Sequence, residues 1–324
     1  MRFIKTMLAV SALMGWTGGG WAACDDPGAL SVGHVTATPS GGGKYDPFSD
    51  VDLKIDASVL ISNGAATACE NAQLAFVFAT GSPRMSAGST DGLDVQVIRD
   101  GESGPDLLAT TLADATRRIS VGTIPARSGG ADGEVTVNFD VRIAPASAAN
   151  GVVADGAYRL SPSLIDMVVA STDVDSGNTP LGAKGDLNVS ATVDKLLDVN
   201  IDGTGYIPGS LAAYTMDLGT LSSGVTGSVG LRLRSNVAHA LALSSTNNGR
   251  MVGPGANTTH SVPYTIGVGS LSGVDLSSTQ TLTYGGKTTR DGAALMLTVT
   301  VGDAGDAQAG DYEDTIHVEV SGVP

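Results

Sequence analysis

The sequence predicts an all-β protein built as two sandwiches, the second of them lacking its closing strand. Three observations carry this. Short segments alternate apolar and polar residues at period 2, the pattern of strands with one buried face, and no stretch sustains the 3.6-residue period of a helix. The 44 glycines, a charged fraction of 16% and abundant Ser, Thr, Val and Ala suit many turns between β-prone runs. A length of 324 residues, against about 150 per domain, predicts two domains. Each reads as an immunoglobulin-like sandwich of short antiparallel strands.

Residues 1–22 read as a secretory signal peptide. Arg2 and Lys5 precede a short apolar run over residues 7–15, and small residues lead to cleavage after Ala22 or Ala23. The run is too short to span a membrane. Both tryptophans, Trp16 and Trp21, leave with it. Residues 23–172 are the expected first sandwich, with its clearest strands at 51–59, 74–78, 93–97 and 135–141. Residues 173–185, polar and turn-forming from Asp173 to Gly185, are the expected linker. The second sandwich, 186–324, has strands at 187–193, 229–234, 240–243 and 295–301. Its last strand, within residues 309–320, puts Ile316, Val318 and Val320 on one face and Thr315, His317 and Glu319 on the other. The sequence stops four residues later. An uncovered apolar edge templates aggregation unless a strand fills it, so Ile316, Val318 and Val320 are expected to line an acceptor edge completed by another chain. The halves read as a degenerate repeat: a late Val-rich strand, a small-residue loop, then a strand led by Tyr158 or Tyr312.

With 33 acidic against 18 basic residues, net −15, and no basic cluster, the chain is unsuited to nucleic acid or anionic membranes. Cys24 and Cys69 are the only cysteines, and an even count in an exported chain predicts one disulfide. The rival is a lipoprotein acylated on Cys24, but Trp21 sits where a lipobox wants Leu, and acylation would orphan Cys69.

Catalytic and metal patterns are weak, and neither an enzyme nor a cofactor is expected. His34, His239, His260 and His317 lie far apart, without zinc-ligand spacing. Residues 40–45 place Tyr45 where a phosphate loop needs Ser or Thr. Residues 198–203 copy the opening of a calcium loop, but its twelfth position is Gly209 instead of a bidentate Glu, and a strand end is the better reading. Residues 173–177 take the same discount.

Residues 188–193, 216–224, 231–236, 241–249 and 309–316, in that order, resemble the spore coat protein U domain, the subunit fold of archaic chaperone-usher pili. The first half resembles a more divergent member, matching best at residues 45–48 and at the cysteine pair. The resemblance implies export through the periplasm to the cell surface. The implied partners are a periplasmic pilus chaperone, the outer-membrane usher, and the next pilus subunit by strand donation. Since the mature chain would start at Cys24, bridged to Cys69, little N-terminal extension is left to donate, and a position at the pilus tip follows.

The expected function is that of a tip subunit mediating adhesion and biofilm formation through its first sandwich, with an abiotic or host surface as ligand. Sandwich topology gathers the loops at 63–68, 123–132 and after Val169 at the pole away from the linker. They offer Ala65, Ala66, Ile124, Pro125, Ala126 and Val174 as apolar contacts. The alternatives are a non-adhesive coat protein or minor pilin, a lectin-type adhesin using Tyr45 and Tyr158 in the absence of Trp, and a secreted β-sandwich hydrolase, which needs a cleft of convergent carboxylates.

Overall fold

The structure is a computed structural model describing residues 29–39, 44–78, 83–88, 91–110, 117–145, 152–160, 165–171, 184–202, 213–253, 257–305 and 307–323. Its regular elements are all strands. In chain order they are β1 (Leu30–Val32), β2 (Val35–Ala37), β3 (Lys44–Tyr45), β4 (Leu53–Asn63), β5 (Cys69–Val77), β6 (Arg84–Ser86), β7 (Gly92–Arg99), β8 (Leu108–Ala109), β9 (Arg118–Ile124), β10 (Gly133–Ile143) and β11 (Gly156–Leu160). They continue with β12 (Ile165–Ser171), β13 (Lys184–Val193), β14 (Leu197–Ile201), β15 (Thr226–Ser235), β16 (His239–Ser245), β17 (Arg250–Gly253), β18 (Asn257–Val268), β19 (Leu271–Val274), β20 (Gln280–Tyr284), β21 (Ala293–Val301) and β22 (Ile316–Gly322). The expected all-β class holds. The expected signal peptide, residues 1–22, lies outside the described residues.

Two hydrophobic cores form. The first is built by β1 to β13, hydrogen-bonded in the order β1-β4-β10-β7-β6-β11-β13-β12-β5-β8, with β2 and β3 on β13 and β9 on β5. Alternation puts Ile55, Val59 and Ile61 of β4, Val137, Phe139 and Val141 of β10, and Leu74 and Phe76 of β5 inside. Phe76 and Phe139 meet across the sandwich at a centroid distance of 4.9 Å and an interplanar angle of 59°, a tilted aromatic pair. The second core is covered by a sheet ordered β14-β15-β21-β18-β17, with β19 on β18, and by a three-stranded sheet β20-β16-β22. Leu231, Leu241, Leu243, Val262, Tyr264, Ile266, Leu297 and Val299 fill it.

The structure corrects the expected domain boundary. Residues 187–193, read from sequence as the first strand of the second sandwich, form β13 of the first. β13 runs antiparallel to β12, with Leu187 opposite Ile165, then antiparallel to β11, with Ser190 opposite Arg159. On its other side it pairs in parallel with β2, then with β3. Leu187, Val189, Ala191 and Val193 all point into the first core. Gly185 is needed for this seating, because a Cβ there would fall 2.3 Å from the Gly33 carbonyl oxygen. The second unit therefore begins at β14. The junction is residues 194–196, not 173–185, most of which lie outside the described residues.

With that shift the repeat becomes clearer. The Val-rich β10 and β21 correspond, and the Tyr158-led pair β11 and β12 corresponds to β22. In the first half β13 follows this pair, whereas no strand follows β22 among the described residues.

Candidate functional site

The consequence is an open edge in the second sandwich. β22 pairs with β16 along its length, from His239 opposite Gly322 to Ser245 opposite Ile316. β14 pairs with β15 alone. β14 and β22 lie beside each other without a shared ladder, and β22 has no ladder partner on its outer side among the described residues. Ile316, Val318 and Val320 face the core yet stay half-exposed. The corresponding inward residues of β12, Ile165 and Met167, are 0% exposed. The residues expected to line an acceptor edge thus lie on the inner face of a strand whose outer side has no ladder partner among the described residues.

The start of β22 is fixed before anything covers that side. Asp314 accepts hydrogen bonds from the Ser245 hydroxyl at 2.5 Å, the Tyr264 hydroxyl at 2.7 Å, and the backbone N–H groups of Asn247 at 3.0 Å and Thr315 at 2.7 Å. The Ser245 hydroxyl oxygen also accepts the N–H groups of Asn247 and Gly249. Burial, reinforced by the bond to Asp314, pushes the Tyr264 phenol well above its ordinary range, so it stays a neutral donor. Tight binding of a carboxylate by four donors sets where β22 leaves the loop. The sequence marks none of these residues, since Asp314 reads as one more turn residue.

The second region is the pole of the first sandwich remote from the junction. Val193 opposes Tyr45, whose hydroxyl donates to the Ala144 carbonyl at 3.1 Å, so the Ile143 end of β10 lies near the junction. Gly133, opposite Asn63, lies at the other end. There the loops 63–68 and 125–132 are tied together. Asn63, 1% exposed, donates to the Thr67 carbonyl at 2.9 Å and the Pro125 carbonyl at 3.1 Å, and the Arg127 N–H donates to the Ala65 carbonyl at 2.8 Å. Gly133 is required here as well, since a Cβ would fall 2.0 Å from the Pro125 oxygen.

This brings Ala65, Ala66, Pro125 and Ala126 together, with Ala66 and Pro125 exposed. Ile124 is a correction: it is 0% exposed and packs into the core opposite Cys69. A strand-terminal Ile next to Pro is apolar for the core's sake. Val174 lies outside the described residues. The pole also carries Arg127, 3.7 Å from Asp132, which the apolar reading missed.

Cys69 is 1% exposed at the head of β5, and no cysteine among the described residues is free. Cys24 lies outside them. Tyr45 and Tyr158, weighed as stacking platforms, are 3% and 0% exposed and offer no open ring face. Of the calcium-like run, residues 198–201 lie in β14; beyond it Asp202 pairs with Arg232 at 2.9 Å, and burial raises the Asp198 carboxyl while Arg234 and Asn200 oppose it. Among the described residues no three His, Cys, Asp or Glu side chains are grouped to hold a metal ion, and no helix is long and apolar enough to cross a membrane.

No protein-family model and no curated protein matches the chain. Several solved structures are similar to it. One is a chain of the CsuC–CsuE chaperone–tip adhesion subunit pre-assembly complex from archaic chaperone-usher Csu pili of Acinetobacter baumannii, at 16% identity over 90% of this chain and 99% of that one, TM-score 0.40. The CupB6 tip adhesin from Pseudomonas aeruginosa is 10% identical over 90% and 94%, TM-score 0.40. The CooA pilin subunit from enterotoxigenic Escherichia coli is 16% identical over 51% of this chain and 99% of that one, TM-score 0.29.

Proposed function

We propose that this protein is a non-enzymatic subunit at the tip of an archaic chaperone-usher pilus. Its second sandwich accepts a strand from a periplasmic chaperone and then from the neighbouring subunit. Its first sandwich presents the 63–68 and 125–132 loops to a surface. The observation that carries the reading is the outer edge of β22, without a ladder partner among the described residues, with the half-exposed Ile316, Val318 and Val320 on its inner face. A strand laid against that edge satisfies its backbone and covers the core, which is how β-strand addition gains affinity and specificity. The order of motifs resembling the spore coat protein U domain supports the same assignment. The ligand of the loop pole is an apolar abiotic or host surface, met by Ala65, Ala66, Pro125 and Ala126. The buried state of Tyr45 and Tyr158 weighs against the lectin alternative.

The test has two arms. The first co-expresses the chain with a periplasmic pilus chaperone. A stable one-to-one complex, lost when Val318 and Val320 are both changed to Asp, is expected, and a chain that stays soluble and unbound rejects the strand-acceptor role. The second arm changes Ala66 and Pro125 to Asp and measures attachment of piliated cells to an apolar plastic. Loss of attachment with normal piliation is expected, and unchanged attachment rejects the loop pole as the binding site.

A further inference from the structure

The three-stranded sheet that carries the open edge also carries the contact between the two sandwiches. Its junction-side end is one row of paired residues, Tyr284 of β20, His239 of β16 and Gly322 of β22. His239, 3% exposed, stacks on Tyr284 at a centroid distance of 5.1 Å and an interplanar angle of 19°. Beyond Gly322, the Val323 N–H donates to the Ala238 carbonyl at 2.9 Å. Lys195, from the junction itself, packs its ammonium directly against Gly322.

The loop that leaves β20 after Tyr284 docks on the first sandwich. Lys287 pairs with Asp91, whose carboxylate also accepts the Ala154 N–H at 3.2 Å. The Thr288 carbonyl accepts the Val152 N–H at 3.4 Å. Thr288 is anchored behind by its N–H to the Ser235 carbonyl at 2.8 Å and by its hydroxyl oxygen accepting the Ser235 N–H at 3.1 Å. Next to it Asn236, 0% exposed, clamps the junction: its side chain accepts the Leu196 N–H and donates to the Asp194 carbonyl, both at 2.8 Å. Asp194 in turn holds Lys44 of the first sandwich at 2.5 Å.

β22 is thus joined to the first sandwich through one β-ladder, one ring stack and one loop. We propose that occupancy of the outer edge of β22 sets the rigidity of the junction: a donated strand turns the sheet's loose edge into an interior position, and the immobilised Tyr284–His239–Gly322 row holds residues 287 and 288 in their docked position. The inference rests on the strand-acceptor reading. Before donation the edge strand and its ladder fluctuate together, as sheet edges with few buried contacts do. Ordering one site then lowers the cost of ordering the other, a coupling between distinct sites in one cooperative unit. In a fibre, the first sandwich becomes a fixed extension of the shaft only after assembly.

The experiment uses the full exported chain with spin labels at Ser58→Cys and Ser272→Cys, and compares it with the same chain carrying a flexible turn and an alternating apolar strand fused after residue 324. Pulsed electron–electron distances are read beside thermal unfolding. The expected result is a broad distribution in the free chain and a single narrow one in the fused chain. Replacing Asp91 and Lys287 with Ala broadens the fused chain's distribution while its raised melting temperature is kept. If the fused strand raises the melting temperature and leaves the distance distribution unchanged, the coupling is overturned and the acceptor reading stands. If it does not raise the melting temperature, both are overturned.

Discussion

The two sandwiches differ in how their late strands are covered: β12 of the first is paired with β13, whereas β22 of the second has no ladder partner on its outer side among the described residues. In the first, β13 lies between β12 and the β2–β3 pair, satisfies backbone on both sides, and brings Leu187, Val189, Ala191 and Val193 to 5% exposure or less. In the second, β22 has no ladder partner on its outer side among the described residues, and its inward residues remain half-exposed. The first half is thereby its own internal control for the second. It shows a sandwich closed by a strand antiparallel to β12 and parallel to β2.

The largest effect that sharpens this contrast comes from placing a charge on the same face of the two strands. Leu187→Asp or Val189→Asp buries an unpaired carboxylate at a fully enclosed site and is expected to cost more than about 4 kcal/mol, enough to unfold the first sandwich. Val318→Asp, at a half-open position, is expected to cost about 1–2 kcal/mol in the free chain. Urea unfolding with separate probes in each half measures both, and equal losses break the comparison.

A disulfide between Cys24 and Cys69 closes a loop long enough to contribute about 4 kcal/mol by chain-entropy reasoning. Reduction is expected to lower the melting of the first sandwich and leave the second unchanged, because no cysteine falls in the second half. Two free thiols in the oxidised protein by mass spectrometry, or a diacylglycerol mass on Cys24, contradict the pairing.

Smaller again is the loss from Asp314→Ala, which strips the Tyr264 and Ser245 hydroxyls and two backbone N–H groups of their acceptor. About 1–3 kcal/mol is expected, confined to the second sandwich. The smallest effect is on pH dependence. Burial, then the bond to Asp314, raises the folded Tyr264 value above the ordinary 10.0. The stability gained by burying the neutral phenol is therefore complete below about pH 10 and declines as pH rises through the raised folded value. Tyr264→Phe is expected to flatten that alkaline decline, and an unchanged slope contradicts the assignment.

How far the sequence could be read follows from what alternation encodes. Period 2 locates strands and assigns their faces, so β4, β10, β15, β21 and β22 were legible to within a few residues. It does not say which core a face belongs to. Residues 187–193 alternate equally well as the opening strand of one sandwich or the closing strand of another, and only their pairing with β11 and β12 decides. The loop pole was legible from connectivity, because topology fixes which loops share an end. Exposure within a loop was not. Ile124 is buried and Pro125 exposed although they are neighbours, and Tyr45 and Tyr158 serve as core residues. The Asp314 cluster was illegible because its members are scattered from Ser245 to Thr315 and meet only once β16, β18 and β22 are folded.

Native-state hydrogen exchange on the full chain tests the central claim most directly, with β13 and β22 compared amide by amide. The account predicts that β13 amides exchange only at the rate set by global unfolding of the first sandwich, and that β22 amides not bonded to β16 exchange orders of magnitude faster. In the chaperone complex those β22 amides should become protected. Equal protection of the two strands in the free chain, or no change in β22 on chaperone binding, would contradict it.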